Sequence, residues 1–180
     1  MRLYTEIISK SLIDFEEMKF VLANNNIKLV KSEQVKERYF LKNDISFKSA
    51  SYKKILENTY ILEEIEDKKS LVYKTYGDYQ KAVSKIEHVN EEDTIDFLNH
   101  IGFKETFAIE KNIYDFSDGI NEFSVINLIN TGLYLSVKKE NTTIEELKEI
   151  LSSFKIPYNE AECNESIEKL VISKVRRYSK

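Results

Sequence analysis

Several lysines of this 180-residue chain lie in predicted strands, on faces that also carry apolar side chains. Because side chains alternate along a strand, each of these lysines shares its face with an isoleucine, valine or tyrosine two or four residues away. The residues concerned are Lys10, Lys74, Lys111 and Lys138. An ammonium group is a compact point charge that suits phosphate. If these faces turn toward one enclosed space, the four lysines would bind a polyanion. The alternative is that each lysine is solvated on an outer face, which is the commoner situation for lysine.

Other catalytic chemistries find little support in the residue types and their spacing. His88 and His100 have no histidine, cysteine or acid partner at the spacing of metal ligands. Cys163 lies between Glu162 and Glu165 in the sequence, and neighbouring carboxylates disfavour a reactive thiolate. Neither a glycine-rich phosphate loop nor a GxSxG motif is present.

The composition is that of a globular protein, with 42% hydrophobic and 32% charged residues. We expect residues 1–180 to form a single domain. A formal net charge of −4 argues against nucleic-acid or membrane-surface partners, which need a basic protein surface. The single Cys163 cannot form an internal disulfide, and the sequence has no apolar leader or span. These features predict a cytoplasmic location.

The clearest structural signal is the segment FSVINLINTGLYLSVKK at residues 123–139, in which two alternating runs flank Asn130-Thr131-Gly132. This pattern predicts a hairpin, and the following Thr-Thr-Ile-Glu-Glu predicts a helix start. Further alternating runs predict strands at residues 2–10, 34–41, 59–65, 70–76, 81–89 and 103–116, and helical spacing predicts helices at residues 13–24, 92–101 and 143–153. Residues 46–56 are predicted as a connection and 166–175 as a short helix or strand. About eight strands with few helices predict an α+β fold, an antiparallel β-barrel or tunnel with helices packed outside.

Short segments spread over nearly the whole chain carry a further pattern: EIISK at 6–10, ERYF at 37–40, LVYK at 71–74, IGF at 101–103, IEK at 109–111, the hairpin at 125–138 and ESIEKL at 165–170. Their order and spacing resemble the CYTH superfamily, the triphosphate tunnel proteins that include class IV adenylyl cyclases and thiamine triphosphatases. The first segment resembles the family's E-x-E-x-K strand, the third its L-T-Y-K strand, and the last its closing S-Y-x-x-L.

The resemblance implies that basic side chains from many strands bind a triphosphate, while acids hold Mg²⁺ or Mn²⁺. It therefore implies a small phosphorylated ligand. Carried over by position, it gives one metal ligand, Glu6, and four ligand-binding lysines, Lys10, Lys74, Lys85 and Lys111. Lys138, which stands where the family has a glutamate, is added as a fifth ligand-binding lysine from the strand pattern alone.

Many positions depart from the family's motifs. Acids or arginines of the family are replaced at Ile8, Ile61, Glu63, Ile113, Asn127, Ser136 and Lys138. Glu6 then remains as the one clearly matched metal ligand, which makes a bound Mg²⁺ or Mn²⁺ doubtful, and Lys138 would repel a cation.

Three functions are compatible with these replacements. The first is a diverged module that binds a nucleotide, triphosphate or other phosphorylated anion with weak or no catalysis. The second is an active metal-dependent triphosphatase or adenylyl cyclase that takes its acids from other positions, such as Glu63, Glu87 and Glu110. The third is a structural or interaction domain with a filled barrel.

Overall fold

The computed structural model describes residues 3–76, 80–159 and 167–178. Eight strands lie in these ranges: β1 Leu3–Lys10, β2 Lys28–Lys42, β3 Thr59–Ile65, β4 Lys68–Tyr76, β5 Gln80–Glu87, β6 Phe103–Ser117, β7 Glu122–Leu128 and β8 Gly132–Glu140. The same ranges contain five helices: α1 Phe15–Asn24, α2 Tyr52–Leu56, α3 Glu91–His100, α4 Ile144–Ser153 and α5 Ile167–Tyr178.

The strands form one antiparallel barrel in the order β1-β5-β4-β3-β2-β6-β7-β8. Strand β1 closes the ring, because it pairs with β8 over seven residue pairs and with β5 over three. The predicted α+β class and the antiparallel barrel of about eight strands are therefore confirmed.

Local sequence explains how the strands are joined and the helices begin. Asn130 and Gly132 adopt positive φ angles of 60° and 137° in the β7–β8 turn, a backbone region that favours these residue types. Asp14 and Thr143 cap α1 and α4 in reciprocal capping boxes with the glutamate three residues later.

Two apolar clusters cover the outside of the barrel. In the first, Met18 and Leu22 of α1 and Leu147 and Leu151 of α4 pack with residues of β1, β7 and β8, such as Val137. In the second, Leu98 of α3 packs against β2 and β3. Burial of these side chains removes apolar surface from water and fixes the helices on the strands.

A third cluster fills the inside of the barrel. It joins inward-facing residues of seven strands to α2 and α5: Ile8, Tyr39, Leu41, Ile61, Val72, Phe107, Ile109, Ile126, Leu128 and Tyr134 from the strands, Ile55 and Leu56 from α2, and Ile167, Val171 and Ile172 from α5. We call the end of the barrel that carries the β2–β3 and β7–β8 connections the α5 end. The opposite end, with the β3–β4 and β6–β7 turns, is the hairpin end.

The structure corrects three details of the predicted elements and decides a fourth, which the sequence left open between helix and strand. One continuous strand runs over Lys28–Lys42, where the sequence favoured a shorter strand. The connection at 46–56 contains the short helix α2, and the last element is a helix of 12 residues. There are thus five helices in the described ranges, two more than the three predicted as clear. The apolar residues of the two additional helices, α2 and α5, face the barrel interior. Contacts with the interior involve few residues of each helix, so they leave only a short periodic signal in the sequence.

None of the helices within the described ranges is both long and apolar enough to cross a membrane.

Candidate anion site inside the barrel

Four charged side chains from four elements meet in the interior cluster. They are Glu37 of β2, Lys74 of β4, Lys111 of β6 and Glu168 of α5, which are exposed by only 1%, 7%, 6% and 0%. We call these four residues the ion cluster. Two lysines and two glutamates carry formal charges that cancel, so the cluster as a whole is neutral. A buried charge is costly unless it is paired, and each member of this cluster has an opposite charge in contact.

Glu37 lies between the two lysines. Its Oε1 is 3.4 Å from Lys74 Nζ, and its Oε2 accepts hydrogen bonds from Lys111 Nζ at 2.9 Å and from the Tyr39 hydroxyl at 2.8 Å. Glu168 Oε1 accepts a hydrogen bond from Lys74 Nζ at 2.6 Å. Two ammonium groups from non-adjacent strands thus converge on one carboxylate, as they would on a phosphate.

The electrostatic balance holds Glu37 in its ionised form. Burial raises the pKa of Glu37, but attraction to Lys111 and Lys74 outweighs it, and the result is a pKa lowered to about 2 despite repulsion from Glu168. Glu37 is therefore ionised at neutral pH, in contact with the two ammonium groups.

The strand register explains how these residues meet. Glu37 lies opposite Ile109 in the β2–β6 pair, and Lys111 lies two residues further along the same inward face. Lys74 projects from β4, which is separated from β2 by β3. Ile61 of β3, opposite Tyr39 of β2 and Val72 of β4, is the buried inward-facing residue of the strand between them.

The other three predicted lysines lie elsewhere. Lys10 is exposed at the α5 end, where a Cβ added at Gly132 would lie 4.0 Å from its Cε. Lys138 lies 3.9 Å from Glu122 and Lys85 lies 2.7 Å from Glu63 Oε1, both toward the hairpin end. Lys85 also lines a cavity of about 400 Å³ at that end. The structure therefore brings together Lys74 and Lys111 of the five lysines.

The acids in the described part of the chain do not form a site that fits a divalent cation. Glu6 accepts a hydrogen bond from Ser136 at 2.7 Å and lies opposite Lys138 in the β1–β8 pair. Glu37 and Glu168 contact lysines, which compete with a metal for the same oxygens. Within the described residues, no three acid, histidine or cysteine side chains are grouped so that they could hold a metal ion. The described acids therefore do not provide the several oxygen ligands that Mg²⁺ or Mn²⁺ requires.

The alternative acids are also dispersed. Glu63 is paired with Lys85, and Glu87 is exposed at the hairpin end. Glu110 faces the outside of β6, where it accepts a hydrogen bond from Gln34.

A groove of about 810 Å³ approaches the ion cluster from the side of the barrel. It lies where β6 continues past the end of β7, since the β6–β7 pairing begins only at Lys111. Its lining includes Glu37, Ile109, Val171, Lys174 and Val175. The groove therefore borders both a member of the ion cluster and residues of α5.

Sequence reasoning overlooked the two buried glutamates. Glu37 shares a strand face with Tyr39 and Leu41, and this alternation is the signal that would have placed it inward. Glu168 lies three and four residues before Val171 and Ile172, on the apolar side of the helix. Residues 165 and 166 of the closing motif and Cys163 lie outside the described residues.

Comparison with solved structures identifies the fold. A candidate adenylate cyclase from Vibrio parahaemolyticus superposes with a TM-score of 0.70 at 12% identity, over 96% of this chain and 98% of that one. The Hippeastrum protein HpAC1, described as a candidate adenylyl cyclase with a dominant triphosphatase activity, superposes at 0.62 with 11% identity over 97% and 96%. A chain of the Schizosaccharomyces pombe Mediator head module superposes at 0.63 with 7% identity over 87% and 96%.

These similarities show that the chain has a CYTH-like fold, and the resemblance seen in the sequence is confirmed at that level. No protein-family model and no curated protein matches the sequence.

Proposed function

We propose that the protein binds a small phosphorylated anion, such as a nucleotide or a triphosphate, inside the barrel and without a metal ion. The observation that supports this proposal is the convergence of Lys74 and Lys111 on one carboxylate in an enclosed space. A phosphate group is similar to a carboxylate in the hydrogen bonds it accepts, and it carries more charge. In this proposal the anion takes the place of the Glu168 carboxylate.

Catalysis is weak or absent in the proposed function. Phosphoryl transfer in a triphosphate tunnel depends on metal ions that neutralise developing charge. The acids nearest the ion cluster are engaged by lysines, and Glu6 is hydrogen-bonded to Ser136. The proposed role is therefore recognition of the anion rather than its hydrolysis or cyclisation.

Calorimetric titration with tripolyphosphate tests the proposal, with EDTA present to remove metal. We expect the wild type to bind and Lys111→Met to lose about tenfold or more in affinity, because one charged hydrogen bond contributes roughly 1.5–3 kcal/mol. The matched control is Lys104→Met, which removes an exposed lysine of the same strand and should bind like the wild type. Circular dichroism checks that each variant is folded. Equal affinity of the two variants would refute the proposal.

A second candidate function is a structural or protein-interaction domain with a filled barrel. Two observations favour it: the apolar interior that α5 completes, and the similarity of fold to a chain of the Mediator head module, which is a multiprotein assembly. A thermal-shift panel of tripolyphosphate, ATP and thiamine triphosphate, with and without Mn²⁺, separates the two functions. No shift with any of them favours the structural role, whereas Mn²⁺-dependent phosphate release would indicate an enzyme.

A further inference from the structure

Helix α5 places both apolar and acidic side chains inside the barrel. Ile167, Val171 and Ile172 pack in the interior cluster, and Glu168 between them is fully buried. The carboxylate of Glu168 contacts Lys74 at 2.6 Å, the shortest lysine contact in the ion cluster. One face of the helix therefore contributes both apolar side chains and a carboxylate to the barrel interior.

The described contacts that hold α5 beyond the interior cluster are made by side chains. Arg176 donates hydrogen bonds to the carbonyls of Phe47 and Ala50, and its guanidinium lies 5.0 Å from the centre of the Tyr52 ring. Lys174 Nζ donates to the Asn130 carbonyl at 2.7 Å. Within the described residues, no backbone hydrogen bond joins α5 to a strand. Such a helix can leave the barrel without breaking the strand pairing.

Movement of α5 out of the barrel would change the net charge of the ion cluster. With α5 in place the ion cluster is neutral. Without Glu168 the remaining Lys74, Lys111 and Glu37 carry a net charge of +1, and the groove beside Val171 and Glu37 opens further. Departure of the helix would thus convert a neutral core into a cationic cavity.

We infer that α5 is a displaceable plug, and that Glu168 holds the anion position of the ion cluster until the helix undocks as a unit from a barrel that stays folded. The inference rests on the proposed function for its ligand, and it assigns the regulation of that site. A phosphorylated anion and α5 compete for Lys74, so the apparent affinity for the anion depends on how often the helix is undocked.

Hydrogen exchange of two neighbouring arginine variants tests whether α5 opens separately. Arg176→Ala removes the contacts with Phe47, Ala50 and Tyr52 but leaves the ion cluster intact. Arg177→Ala, which removes the same charge from an exposed position, is the matched control. We expect Arg176→Ala to raise amide exchange in residues 167–178 by about tenfold or more while β2 and β6 stay protected, and Arg177→Ala to resemble the wild type. If α5 and these strands exchange together in both variants, the inference is wrong.

Lysine acetylation followed by mass spectrometry, together with tripolyphosphate titration, separates this inference from the proposed function. We expect Lys74 and Lys111 to be acetylated faster in Arg176→Ala than in Arg177→Ala, and tripolyphosphate to bind Arg176→Ala more tightly. Faster acetylation without tripolyphosphate binding supports the plug and contradicts the proposed function. Binding that depends on Lys111 while α5 stays protected supports the proposed function and overturns the plug. The exchange and acetylation readouts need no variant of the ion cluster, so a loss of pairing there does not enter their interpretation.

Discussion

At the scale of single residues, the lysines of this barrel differ in how deeply they and their carboxylate partners are buried. Lys74 and Lys111 are buried, and carboxylates of Glu37 and Glu168 contact them. Lys85, by contrast, pairs with Glu63 at a partly exposed position. Breaking a buried pair leaves an uncompensated charge, whereas an exposed pair contributes little to stability. The two kinds of pair should therefore respond differently to mutation.

Replacing Lys74 alone and together with Glu168 measures this difference. Lys74→Met should lower the free energy of unfolding by about 3–5 kcal/mol, because Glu168 stays buried without its lysine. Lys74→Met/Glu168→Met should recover most of that loss, since both charges are gone. Lys85→Met, the control at the exposed pair, should cost less than about 1 kcal/mol. Urea denaturation gives all three values. A double variant no more stable than Lys74→Met would show that the pair is not coupled as described.

The acid dependence of stability follows from Glu37. Its pKa in the folded protein is about 2, below the ordinary value of 4.5, so the unfolded chain binds more protons between these values. The stabilisation is complete above about pH 4.5 and is lost as the pH falls toward about 2, with a size of roughly 3 kcal/mol. Urea denaturation at several pH values below 6 should show that stability falls more steeply with decreasing pH in the wild type than in Glu37→Gln. Parallel profiles for the wild type and this variant would contradict the assigned role.

The sequence indicated the two buried lysines but not Glu37 and Glu168, the glutamates that pair with them. Alternation correctly put Lys74 and Lys111 on inward faces, because a strand's two-residue period fixes the side of every residue. Alternation could not distinguish these two buried lysines from Lys10 and Lys138. Those two also share a strand face with apolar residues, but they lie near the ends of the barrel. Depth along the barrel depends on strand tilt and register, which are set by pairings between distant residues.

At the scale of elements, the outer helices and α5 have different tasks. Helices α1 and α4 cover the outside of β1, β7 and β8, whereas α5 enters the interior cluster. The sequence predicted α1, α3 and α4 within two residues of their ends, because caps and apolar periodicity coincide there. It left α5 undecided between helix and strand, because residues 166–175 are short and the charged Glu168 interrupts their apolar face.

A capping variant tests this division of tasks. Thr143 accepts a hydrogen bond from the Glu146 amide at the start of α4. Thr143→Ala should lower the free energy of unfolding by about 1 kcal/mol. It should leave tripolyphosphate affinity unchanged, because α4 contacts only the outside of the barrel. Glu149→Gln, on an exposed position of the same helix, should change neither quantity. A large loss of affinity in Thr143→Ala would mean that α4 takes part in binding.

At the scale of the whole molecule, the chain shares its fold with proteins of very different sequence. The barrel superposes on structures described as candidate cyclases, one of them with triphosphatase activity, yet sequence identity is only 11–12%. In this chain, the interior combines apolar side chains with one neutral ion cluster. The proposed function depends on one property of this interior, the ability of Lys74 and Lys111 to exchange a protein carboxylate for a phosphate.

A crystal structure grown with tripolyphosphate and EDTA tests that ability most directly. The account predicts phosphate oxygens within hydrogen-bond distance of Lys74 and Lys111 Nζ, with Glu168 withdrawn from Lys74. Phosphate bound instead beside Lys85 and Lys138 at the hairpin end, with the contact between Glu168 and Lys74 intact, would contradict it.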